Sequence, residues 1–236
     1  MGRARRHWKG LAAGAVVLAV GLAIGVPWIY IHLVEGSQPK ALSLSDVPSA
    51  YAGAASRTTD AAFVGTWKVA SGSTAGYRVH ETLAGQSATA VGRTSAVTGS
   101  FTIQKTELTT ASFTVQMATV TSDRAQRDQQ FTGRIMDTAQ YPTGTFVLSK
   151  PIDLKQVPAV GKTITASATG KLTLHGTTNV VTFKVQAKRL AGEIAVTGDI
   201  PITYGDYNID NPSFGGFVSV GNSGTIEFLL VTTRSS

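Results

Sequence analysis

The chain has 236 residues, of which 42% are hydrophobic and only 15% are charged, and this suits one sizeable domain with attachments. Four of its basic residues (Arg3, Arg5, Arg6 and Lys9) lie in the first nine positions and account for more than half of the net charge of +7. The mildly basic remainder shows no basic stripe with stacking aromatic residues, so nucleic-acid binding is not expected. The absence of cysteine excludes disulfides, thiol nucleophiles and thiolate metal sites.

The N-terminal region predicts a membrane anchor. Residues 1–10 form a basic tail, and an uncharged apolar run from Leu11 to Ile31 is long enough to cross a bilayer as a helix. We place the anchor at residues 11–34. The positive-inside rule then puts the tail in the cytoplasm and the rest of the chain on the extracytoplasmic side of the cell membrane.

A cleaved signal peptide is the alternative interpretation of the same run. The run is longer than a signal segment, and bulky residues such as Trp28 and Tyr30 follow where a cleavage site needs small ones. We therefore expect an uncleaved single-pass anchor. The following residues, 35–62, are rich in Ser, Ala, Pro and Gly and indicate a flexible linker, so the folded domain is assigned to residues 63–236.

Period-two alternation recurs through this domain and predicts half-buried β-strands. Turn signals such as His175-Gly176, Ala191-Gly192 and Gly221-Asn222 separate the alternating segments. The segments with this alternation are residues 113–117, 146–148, 164–174, 181–187, 194–202 and 226–230.

One stretch, Asp123 to Thr138, breaks the alternation and predicts one or two short helices. Ser122 or Asp123 could cap the first helix, and Tyr141-Pro142 would end the segment. Phe131, Ile135 and Met136 form an apolar stripe on it, so the segment should cover an apolar surface.

Many strands of similar spacing indicate a sandwich or an up-and-down barrel. Ala166, Ala168 and Gly170 leave room on one face of their predicted strand. In a sandwich the opposite sheet would fill that room, whereas a barrel of about eight strands can hold one small ligand there.

The residues nominate no catalytic machinery. Nucleophile-elbow, phosphate-loop, dinucleotide-binding and zinc-protease motifs are all missing from the sequence. Only two histidines, His80 and His175, fall in the domain, and neither has clustered partners that would make a metal site. We expect no catalytic residue, no metal and no cofactor.

Three groups of residues resemble the YceI family of extracytoplasmic polyisoprenoid-binding proteins. The matching segments are Arg127-Asp128 with Phe131 and residues 135–146 (IMDTAQYPTGTF), residues 170–178 (GKLTLHGTT), and Trp67 with Gly99-Ser100-Phe101. The resemblance implies an all-β, antiparallel, lipocalin-like barrel of about eight strands with a short helical lid, here preceded by one transmembrane helix. It also implies a polyprenyl chain held in the barrel lumen.

An isoprenoid carrier needs an apolar lumen and a lid that can open. The side chains that we expect to line the lumen are Phe101, Phe113, Val115, Met117, Phe146, Leu148, Ala168, Leu172, Leu174, Phe183, Val185, Ile194 and Phe228. The expected lid residues are Arg127, Phe131, Ile135, Met136 and Tyr141.

The leading hypothesis is thus a membrane-anchored binding protein for an isoprenoid lipid, either a quinone or a polyprenyl chain. A second hypothesis is an envelope stress or interaction module whose barrel core is filled and binds no lipid. A third is a lipid hydrolase or isomerase that uses His175 or a carboxylate as its base. The sequence leaves the oligomeric state open.

Overall fold

The computed structural model describes residues 39–49, 63–83, 85–216 and 218–235. The predicted anchor at residues 11–34 lies outside these ranges. Within them, no helix combines the length and the apolar character that a membrane span requires.

The described part of the domain is built from twelve strands and one short α-helix, α1 (Ala125–Gln130). The strands are β1 (Gly65–Val69), β2 (Thr74–Leu83), β3 (Gln86–Thr94), β4 (Val97–Gln104), β5 (Glu107–Gln116), β6 (Thr143–Leu148), β7 (Ile152–Asp153), β8 (Thr163–Leu174), β9 (Thr177–Arg189), β10 (Glu193–Thr203), β11 (Val218–Val220) and β12 (Ser223–Arg234).

Eight of these strands close into an antiparallel barrel. Their order around the ring is β1-β4-β5-β6-β8-β9-β10-β12, and β12 returns to β1 through the pair Trp67 and Arg234. The predicted barrel of about eight strands is therefore confirmed. Closure gives every ring strand a paired neighbour on both sides, although β9 and β10 pair only between 185–189 and 194–198.

Three strands of the barrel wall are interrupted rather than straight. β1 and β2 pair with successive parts of β12 and together form one interrupted strand. β3, which pairs with β2, and β4, which pairs with β1, together form the neighbouring interrupted strand. β11 and β12 likewise follow β2 in one direction, so Gly221-Asn222 interrupts a strand and is not the predicted hairpin turn. β2, β3 and β11 together carry one side of the wall beyond the ring, toward the end called the mouth below.

The turn between β8 and β9 restricts which residues can stand at its two central positions. His175 and Gly176 are its two turn residues, with φ values of 46° and 73°, as a tight two-residue turn with both φ values positive requires. His175 thus lies in the turn and not in a strand. Gly170 on β8 is equally constrained, because a Cβ there would come within 2.4 Å of the Phe146 ring. The room predicted at Gly170 is taken by that ring.

The connection from β5 to β6 holds the only α-helix of the described residues. It passes through a 3-10 turn (Met117–Thr119), α1 and a π-helical turn (Phe131–Ile135), as predicted for this stretch. Neither Ser122 nor Asp123 caps α1, since the N-cap residue is Arg124 and no side chain caps the helix. Instead the Asp128 carboxylate accepts hydrogen bonds from the Ser122 amide (2.8 Å) and hydroxyl (2.6 Å).

Residues 39–49, called the strap below, lie across the outer wall although they fall within the predicted linker. Nη2 of Arg78 donates to the Pro39 carbonyl at 2.8 Å, and Arg93 donates to the Lys40 carbonyl. The same two arginines bind the carboxylate of Glu227, which is only 1% exposed. The 3-10 turn at Leu44–Asp46 lies against β9 and β10. The Glu227 carboxylate on β12 therefore links β2, β3 and the strap through these two arginines.

We predict that Glu227→Ala lowers the free energy of unfolding by about 3 kcal/mol, the lower end for a broken buried ion pair, because both guanidinium groups still reach water. Urea denaturation would measure the change. Asp153→Ala is the matched control, because the Asp153–Lys155 pair is exposed and should contribute nothing measurable. An equal effect of the two substitutions would contradict the assignment.

Candidate functional site

The barrel encloses an apolar lumen with a cavity of about 200 Å³. Among the described residues no charged side chain lines it, and its only hydroxyls belong to Tyr77 and Thr145. The cavity exists because alternate residues of each strand point inward, and some of those residues are small, such as Ala75, Ala111 and Ala168. Such a space favours an apolar guest, since each buried methylene contributes about 0.8 kcal/mol.

Twelve of the thirteen side chains predicted for the lumen line this cavity. They are Phe101, Phe113, Val115, Met117, Phe146, Leu148, Ala168, Leu172, Leu174, Phe183, Val185 and Phe228. Ile194 instead lines a smaller cavity of about 60 Å³ at the closed end, together with Ala166. That these residues contact a ligand stays a prediction.

Three phenylalanines narrow the lumen near its middle. The rings of Phe146 and Phe183 meet edge-on with centroids 5.4 Å apart, and Phe183 meets Phe228 in the same way at 6.1 Å. A chain-like guest therefore has to pass beside Phe183. The opposite, closed end is sealed where the Trp67 indole donates to the Phe63 carbonyl at 3.0 Å and Arg189 stacks over the Phe63 ring.

A second cavity, of about 670 Å³, lies at the mouth under the lid segment. It is lined by both apolar and polar side chains, including Glu81, Arg124, Arg127 and Tyr204. Six residues line this cavity and the lumen alike, namely Tyr77, Phe131, Met136, Ile202, Ile209 and Ile226. Tyr77 and Phe131 stack with their centroids 5.0 Å apart, so this pair stands between the two spaces.

The lid residues do not all lie over the cavities. Phe131 and Met136 line both cavities, while Arg127 and Ile135 line the mouth cavity alone. Tyr141 lines neither. Its ring packs on the His175 ring, with centroids 4.4 Å apart, and supports the β8–β9 turn.

Arg127 ties the lid to the barrel wall. Its Nη2 donates to Glu81 on β2 at 3.2 Å, and its Nη1 binds Asp123. Burial opposes the charge of Arg127, but the two carboxylates outweigh it and raise the pKa of the guanidinium. The mouth thus holds Arg127 already paired, which makes this residue a clasp rather than a solvated side chain.

The Tyr204 hydroxyl at the mouth makes no hydrogen bond to the residues that the structure describes. Tyr204 is 93% buried, lines the mouth cavity, and finds no partner for its oxygen among the described residues. Burial, with a smaller contribution from Glu81, raises the pKa of Tyr204 to about 12. It is therefore neutral at physiological pH, and its oxygen is enclosed by protein, 3.0 Å from where a Cβ on Gly224 would lie.

Several of these residues escaped the sequence analysis. Tyr77, Val79 and Glu81 lie on β2, whose alternate residues line the lumen and then the mouth cavity. The period-two signal was present from Ala75 to Leu83 and could have found them. No sequence signal marks Tyr204, because it lies in a 3-10 turn (Tyr204–Tyr207) that follows β10.

The model of the YceI-like domain family matches residues 67–232. The chain belongs to this family. The YceI barrel also resembles solved structures at 14–23% identity. A polyisoprenoid binding domain from Saccharophagus degradans, implicated in plant cell wall breakdown, has 19% identity and a TM-score of 0.60, over 73% of this chain and 99% of that one.

Two further solved structures agree in fold. Burkholderia cenocepacia BcnA has 23% identity and a TM-score of 0.51, covering 66% of this chain and 96% of its own. A Campylobacter jejuni YCEI protein has 14% identity and a TM-score of 0.50, covering 60% of this chain and 83% of its own. No curated protein sequence matches the chain. The predicted family is confirmed, and the structures establish the shared fold.

The burial of the Tyr204 hydroxyl predicts how Tyr204→Phe changes the stability of the protein. At neutral pH this change should leave the free energy of unfolding unchanged or slightly higher, because the lost hydroxyl makes no hydrogen bond. The pKa of Tyr204 rises from 10.0 to about 12 on folding, so the unfolded chain loses this proton first. The free energy of unfolding therefore keeps its full value at pH values below 10.0 and falls as the pH rises toward about 12.

Urea denaturation of both proteins from neutral pH upward measures the effect. The variant should lose less stability than the wild type across that alkaline range. Parallel pH curves for the two proteins would show that Tyr204 is not buried as described.

Proposed function

We propose that this YceI protein is a membrane-anchored, extracytoplasmic binding protein for an isoprenoid lipid, either a quinone or a polyprenyl chain. The observation that carries the proposal is a lumen that adjoins a larger cavity with polar groups and to which the described residues contribute no charged side chain. The similarity to a polyisoprenoid binding domain supports it. The anchor and its orientation rest on the apolar run and basic tail of residues 1–34.

The two cavities suit the two parts of such a lipid. The lumen is smaller than an ordinary small-molecule site, which spans about 300–1,000 Å³, whereas the mouth cavity falls within that range. A prenyl tail would enter between Tyr77 and Phe131 and occupy the lumen. The head group would stay at the mouth, whose cavity is lined by polar as well as apolar side chains.

Binding is proposed rather than catalysis because of where the candidate bases lie. Glu81, the carboxylate that lines the mouth cavity, is paired with Arg127. His175 lines neither cavity and packs instead against Tyr141 in the hairpin turn. The described residues also contain no cluster of metal-ligating side chains. The Saccharophagus degradans structure that the barrel resembles is described as a polyisoprenoid binding domain.

Ala168→Phe tests the proposal, because Ala168 is 3% exposed and lines the lumen. The added ring should fill space that the tail needs and weaken uptake of a long-chain prenyl quinone by about tenfold or more, equal to losing about two buried methylenes. Fluorescence titration of the purified full chain would measure it. Ser167→Phe is the matched control, since Ser167 is exposed on the same strand.

Thermal melting shows whether each variant folds, and Ala168→Leu serves if the larger ring unfolds the barrel. If a folded lumen variant binds the quinone with the same affinity as Ser167→Phe, the carrier proposal is contradicted. That outcome would favour an envelope stress or interaction module that uses the barrel as a scaffold.

A further inference from the structure

The strap fixes the height at which the chain leaves the barrel. Pro39 is held by Arg78, which lies on β2 five residues before Leu83 at the mouth. At about 3.3 Å per residue those five residues cover about 17 Å of strand. Barrel strands tilt by about 40°, so Pro39 lies about 13 Å below the mouth along the barrel axis.

The predicted anchor ends only a short distance upstream of this point. Val34 precedes Pro39 by five residues, and a fully extended chain spans at most about 18 Å over that length. A free linker over residues 35–62 would have allowed several times this reach. With the strap docked, Pro39 must stay within about 18 Å of the end of the membrane span.

The closed end of the barrel lies farther from Pro39 than the mouth does. Arg78 pairs with Thr225, and Trp67 near the closed end pairs with Arg234 on the same strand. These nine steps of β12 cover about 30 Å of strand, or about 23 Å along the axis, against about 13 Å to the mouth. A short tether from the membrane to Pro39 therefore favours a membrane at the mouth.

The rim of the mouth is suited to a bilayer surface. Phe214 is 61% exposed and is the only aromatic among the large apolar side chains exposed in the described ranges. Arg134, exposed on the lid, donates to the carbonyl of Pro212 at 3.1 Å and holds the Phe214 loop against the mouth. Exposed aromatic side chains and basic side chains are each favoured at the interface of an anionic membrane.

We propose that the strap and its short tether turn the mouth toward the membrane, so that the rim at Phe214 and Arg134 rests on the lipid surface. A prenyl lipid would then pass between bilayer and lumen with little exposure to water. This inference rests on the proposed function, because it requires the predicted anchor.

Single nitroxide labels test the orientation, and the absence of native cysteine makes each label unique. The full chain would be reconstituted into phosphatidylcholine vesicles containing phosphatidylglycerol, with a label at Phe214→Cys or at Val160→Cys. Val160 is the matched control, because it is also an exposed apolar side chain but lies in the loop near the closed end. Collision with oxygen relative to a water-soluble nickel complex reports the depth of each label.

We expect the label at position 214 to give a several-fold higher oxygen-to-nickel ratio than the label at 160. Inserting about twenty Gly and Ser residues between Gln38 and Pro39 should lower that ratio toward the control, because the longer tether frees the barrel. A water-exposed label at 214, or a ratio that the insertion leaves unchanged, would overturn the inference.

The same samples separate this inference from the proposed function. Flotation with the vesicles reports the anchor, and extraction reports the bound prenyl quinone. Protein that fails to float has no anchor, so the proposed function and the inference fall together. Protein that floats and holds the lipid, with its 214 label in water, overturns the orientation alone.

Discussion

The structure depends on the fact that the inward side chains do not completely fill the interior of an eight-stranded ring. A ring of this size is just wide enough for inward side chains to fill, or to hold one small ligand. Ala75, Ala111 and Ala168 leave a cavity, and the Phe146 and Phe183 rings keep it narrow. The unfilled cavity leaves room for an apolar guest, and the proposed function depends on it. Under that proposal the guest would enter through the mouth cavity beneath the lid.

The parts of the fold that could be predicted are those where one face is apolar and the other polar. β8 is the clearest case, since its alternation from Ile164 to Leu174 matches the observed strand. β2 has the same alternation from Ala75 to Leu83 and could have been predicted, but no local pattern shows that its outward Arg78, with Arg93 of β3, binds the buried Glu227 beneath the strap. A long-range ion cluster of this kind leaves no local pattern, and neither does a chain segment that docks on the outside of a wall.

The lumen could be predicted better than the mouth for a physical reason. Strand periodicity decides which side chains point into the lumen, so the sequence alone can predict them. Of the thirteen side chains predicted for the lumen, only Ile194 lies away from the main cavity. Mouth residues come from turns and the lid, whose positions depend on tertiary contacts. Tyr204 is placed by a 3-10 turn, and Tyr141 packs on His175 instead of covering the cavity. The one charged lid residue, Arg127, lies at the mouth because Glu81 holds it there.

The central claim is that the lumen holds an isoprenoid tail. The most direct measurement is native mass spectrometry of the full chain purified from membranes in mild detergent, followed by organic extraction and identification of what is released. The account predicts one long-chain isoprenoid per barrel, and its loss in Ala168→Phe. Protein that carries no lipid, and still takes up none when long-chain quinones and prenols are supplied, would contradict the account.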